Sequence, residues 1–99
     1  MNEQDILQEL LGLLEAAGVQ IRTEPLGGSG GGLCTIKGQH FFFVDSQASA
    51  AESAVLCADA VWKLVDIDTI YVKPQVRQFI EENTDRNSRE NADKNKGTL

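Results

Sequence analysis

The order of patterns along this 99-residue chain predicts a single α+β domain. Its expected form is a small antiparallel sheet of three to four strands, packed on one face by two main helices, with a short C-terminal helix. Three observations carry the prediction. Two segments repeat apolar residues at three- and four-residue spacing, and β-prone runs lie between them. The length leaves room for one domain of the usual size, about 100–150 residues. Helix, strand, strand, strand, helix, short strand, helix is an order that places helices against one sheet.

The first helix rests on Ile6, Leu7, Leu10, Leu14 and Ala17, one apolar stripe widened by Leu11 and Leu13. Glu3 and Asp5 sit in its first turn, where the helix dipole favours negative charge. Gly18 is the stop. Gly12 interrupts the stripe and is expected to mark close packing. Val19-Gln20-Ile21-Arg22-Thr23 alternates apolar and polar, the period of a half-buried strand. A punctuated stretch follows, residues 24–32, holding five of the chain's nine glycines.

Leu33-Cys34-Thr35-Ile36-Lys37 and His40-Phe41-Phe42-Phe43-Val44 flank Gly38-Gln39 and read as a hairpin. With Gly38-Gln39 as the turn, Ile36 pairs with Phe41 and Cys34 with Phe43, all on one face. Leu33, Phe42 and Val44 then point to the other. Ser49-Ala50-Ala51-Glu52 is a capping box opening a second helix. Its stripe is Ala51, Ala54, Val55, Ala58, Val61, Trp62 and Val65. Thr69-Ile70-Tyr71-Val72 has the content of a short strand. Pro74 opens a last helix with Val76, Phe79 and Ile80 as its apolar side. Residues 1–82 form the domain. Residues 83–99 are expected to be a disordered polar tail, too poor in apolar groups to offset ordering entropy.

Composition narrows the function classes. Hydrophobic residues are 41% and charged residues 24%, ordinary globular values. The net charge of -6 repels phosphate backbones, so no nucleic-acid partner is expected. No apolar run approaches the roughly 18–20 residues that span a bilayer, so no membrane is expected. The acidic start is unlike an export signal, and the expected location is cytoplasmic. Cys34 and Cys57 form no C-x-x-C pair and read as reduced, buried small hydrophobes.

Chemistry has few places to sit. The glycine loop meets neither G-x-x-x-x-G-K-[ST] nor G-x-G-x-x-G, which leaves a flexible connection, or amides wrapping a ligand through Gly28, Ser29, Gly30, Gly31 and Gly32. His40 is the one histidine and flanks a turn. Asp45, Glu52, Asp59, Asp66 and Asp68 lack metal-site spacing and read as a solvated acidic rim. No catalytic residue, metal or cofactor is expected. Three consecutive phenylalanines demand burial on both strand faces, and helices can cover only one. Leu33, Phe42 and Val44 are therefore the expected interface.

Two resemblances accompany these readings. Gly31-Gly32-Leu33-Cys34-Thr35-Ile36-Lys37-Gly38, the strand through Phe43-Val44-Asp45, a helix, and Ile70-Tyr71-Val72-Lys73-Pro74-Gln75-Val76-Arg77 resemble a small stand-alone bacterial family without assigned activity. That likeness covers about residues 26–82 and implies no catalytic residues. The strand ending Phe43-Val44-Asp45-Ser46 and the helix capped at Ser49 are similar in layout to small zinc-metallopeptidase domains beside bacterial toxin–antitoxin and phage regulators. Those carry H-E-x-x-H on that helix. Here the stretch is Ala58-Asp59-Ala60-Val61-Trp62, which implies a remnant without metal or peptidase activity. The function expected is a non-enzymatic interaction module binding itself, as a homodimer, or another protein. The alternative is a small-molecule or nucleotide sensor using the glycine loop with Arg22 and Lys37.

Overall fold

A computed structural model describes residues 1–28 and 30–84. Its elements are α1 (Glu3–Ala16), β1 (Gln20–Glu24), β2 (Gly32–Ile36), β3 (Gln39–Asp45), α2 (Ala50–Leu64) and α3 (Pro74–Asn83). The α+β class holds. The expected tail lies mostly outside the described residues.

Local chemistry explains the helix ends. Asn2 caps α1, its side chain accepting from the Asp5 amide at 2.9 Å. Gly18 leaves the helix at φ 88°. Ser49 caps α2: its hydroxyl accepts from the Glu52 amide and donates to the Glu52 carboxylate, each at 3.1 Å. Pro74 stands in the first turn of α3, where its missing N–H costs nothing.

The sheet order is β1-β3-β2, with β2 antiparallel to β3 but β1 parallel to it. This corrects the all-antiparallel expectation: β1 and β2 do not touch, and the loop between them crosses the end of β3. The physical reason is the apolar demand of Phe41, Phe42 and Phe43, which suits the strand buried between two others. The hairpin turn is Lys37-Gly38, with φ of 51° and 80°, not Gly38-Gln39. Positive φ at both central residues gives the twist that antiparallel strands need. The true pairs are Ile36↔Gln39, Cys34↔Phe41, Leu33↔Phe42 and Gly32↔Phe43. A two-residue offset keeps every side chain on its expected face.

α1 and α2 pack on each other and on the Phe42 face, and α3 packs behind them. Leu7, Leu10, Leu14, Val19, Phe42, Ala54, Cys57, Ala58, Val61, Ile67, Val76 and Ile80 form the core. Thr69, Ile70, Tyr71 and Val72 are irregular rather than a strand, since no described strand edge lies beside them. Arg77 holds that connection: its guanidinium donates to the Ile67 carbonyl and pairs with Asp68. Gly12 is exposed, and a Cβ there would meet nothing, so it marks no close packing.

Candidate functional site: the glycine loop and the outer sheet face

Asp45 ends β3 at the point the glycine loop must cross, and it is 1% exposed. Its Oδ1 accepts from the Leu26 and Gln47 amides, both at 2.9 Å. Its Oδ2 accepts from the Gly30 amide at 3.0 Å. The Gly27 amide donates to Gln47 Oε1 at 2.6 Å. Burial alone would raise the Asp45 pKa, but the Leu26, Gln47, Gly30 and Gly28 amides outweigh it and hold it below the usual 3.8. The carboxylate is an internal anion. It is a weak base by the same token, so it is unsuited to proton abstraction near neutral pH.

The loop is therefore fastened, not a slack connection. Gly31 lies directly on β3: a Cβ there would come 1.7 Å from the Phe43 carbonyl oxygen. Gly30 has φ 84° and sits against Leu56 of α2. Of the expected loop contacts, Gly28, Gly30, Gly31 and Gly32 are described, and Ser29 lies outside the described residues. Two of the amides that could receive a phosphate, those of Gly28 and Gly30, are turned to Asp45 instead. Asp45 thus departs from the expected acidic rim, because a loop crossing a strand end needs a fixed acceptor there. The signal was present in the sequence as an Asp two residues before Gln47, the spacing of an Asx turn.

The expected interface of Leu33, Phe42 and Val44 is covered. Phe42 is 1% exposed, and Leu33 and Val44 pack partly buried against the core. α1 and α2 occupy this face because their own stripes need it. The opposite, outer face carries Phe41, Phe43, Cys34 and Ile36. The Phe41 and Phe43 rings stack with centroids 6.4 Å apart, and the Arg22 guanidinium lies 5.7 Å from the Phe41 centroid. Ile36 is 48% exposed, and Cys34 is exposed rather than buried. Beside them an open depression of about 410 Å³ is lined by Leu26, Gly30, Gly31, Gly32, Leu33, Cys34 and Phe43.

The other candidates stay apart. His40 Nδ1 is 2.8 Å from the Thr35 hydroxyl, on the helix side of the hairpin, opposite Cys34. Cys57 is buried, and burial pushes its thiol up to about 12. Among the described residues no cluster of three or more His, Cys, Asp or Glu could hold a metal ion. No described helix is long and apolar enough to cross a membrane. The chain matches no protein-family model, no curated protein and no solved structure.

Proposed function

We propose that this chain is a non-enzymatic protein-interaction module, cytoplasmic, whose partner is a second copy of itself. The observation that carries the reading is the outer face of the sheet. Stacked, partly buried Phe41 and Phe43, half-exposed Ile36 and exposed Cys34 lie together on the sheet face opposite α1 and α2. Contiguous apolar surface of this kind on a small domain favours association, because removing it from water releases about 25 cal/mol per Å². The -6 net charge argues against a phosphate-rich partner. A sensor built on the glycine loop is the weaker proposal, since two of the amides it would use, those of Gly28 and Gly30, are turned to Asp45.

Sedimentation of the purified chain tests the reading. The wild type is expected to show a concentration-dependent dimer. Phe43→Glu, at a half-buried surface position, is expected to weaken it at least about tenfold while leaving the fold intact. A wild type that sediments as a monomer at every concentration would overturn the proposal.

A further inference from the structure

Among the described residues the sheet has two open edges, β1 and β2, and they are built differently. β1 carries Arg22 and Glu24 and runs into Pro25, the charges and proline that blunt an edge against pairing. β2, Gly32–Ile36, has no charged residue and no proline. It is apolar above and below: Phe43 and Cys34 lie on the outer face, and Val55 and Leu56 of α2 are exposed on the helix side, with Leu56 against the loop that enters β2.

The hydrogen-bond phase of β2 follows from its turn. Ile36↔Gln39 closes the hairpin, so Ile36, Cys34 and Gly32 direct their backbone groups at β3. Leu33 and Thr35 point theirs out of the sheet.

Resting on the self-association proposed above, we infer that two copies join through an antiparallel β2–β2 pair centred on Cys34, making one continuous sheet in which the Cys34, Ile36 and Phe43 margins of the two outer faces meet at the seam. In this register Leu33 of each copy faces Thr35 of the other, so the outward N–H and C=O groups meet. Gly32 faces Ile36, and the half-exposed Ile36 side chain covers the gap that Gly32 leaves beside Phe43. Cys34 faces Cys34 across the two-fold axis. The strand that forms the seam holds no carboxylate, so the acidic surfaces are not forced together there. Sliding by two residues keeps the hydrogen-bond phase but sets Cys34 against Gly32 or Ile36 and shortens the overlap.

Directly opposed, non-hydrogen-bonded residues lie about 4.5 Å apart at Cα, within the roughly 4.4–6.8 Å that a disulfide accepts. Treating the full chain with diamide, which is reduced as two thiols become a disulfide, reads this out on a non-reducing gel. A cross-linked dimer is expected for wild type and Cys57→Ala, and none for Cys34→Ser. Thr35→Pro deletes one outward N–H per copy and is expected to weaken the sedimenting dimer by about tenfold. Association that persists without a Cys34 cross-link and is indifferent to Thr35→Pro would overturn the seam while leaving self-association standing. A monomer at every concentration removes the reading beneath it instead. If Thr35→Pro fails to fold by circular dichroism, the cross-link decides.

Discussion

Asp45 shows how much one side chain organises here. A buried carboxylate without partners would be costly, and four backbone amides make this one an anchor instead. Its depressed pKa has a defined consequence. The stability it contributes is fully present above about pH 3.8, its unfolded value, and is lost as pH falls from there through the lower folded value. Asp45→Asn keeps one acceptor oxygen but turns an NH₂ toward donors. It is expected to be less stable than wild type at pH 7, and to lose less stability between about pH 4 and pH 2. Chemical denaturation across that range measures both, and parallel acid curves for the two proteins would contradict this role. A lone Asp before Ser46-Gln47-Ala48 announces a turn, yet nothing local says that a loop 15 to 19 residues earlier hangs on it.

At the scale of elements, α1, α2 and the β2–β3 hairpin were legible because each has a local cause: caps, stripes at helical spacing, and alternation around a glycine turn. The hairpin's partners lie two residues from those a Gly38-Gln39 turn predicts, since both Lys37-Gly38 and Gly38-Gln39 offer a glycine to the turn. Thr69-Ile70-Tyr71-Val72 shows the limit of β-propensity, which needs a neighbouring strand to act on. The glycine loop illustrates a similar limit, because glycines that look like slack serve close approach. Gly31→Ala is expected to cost about 1–3 kcal/mol, its Cβ colliding with the backbone of β3. Gly12→Ala, in open space on α1, is expected to gain up to about 1 kcal/mol. Denaturant midpoints of the two variants should therefore move in opposite directions.

For the whole molecule, the acidic surface and the apolar sheet predict a particular salt response. Two copies each carrying -6 repel at long range, and salt screens this with a Debye length of about 10 Å at 0.1 M. An apolar, backbone-paired interface loses nothing to that screening. Raising salt is expected to tighten the dimer several-fold, measured as its sedimentation dissociation constant. Weakening with salt would point to an interface of ion pairs instead. What the sequence by itself determined is the class of fold, the helices with their caps, and the division of the hairpin side chains into two faces. Periodicity determines those because each depends on residues a few positions apart. What only the tertiary structure decided is which face the helices cover, where β1 docks, and what the glycine amides hold. Alternation treats the two faces of a strand alike. The choice between them is made by elements far along the chain, where α1 and α2 bury Phe42 and leave Phe41 and Phe43 outside.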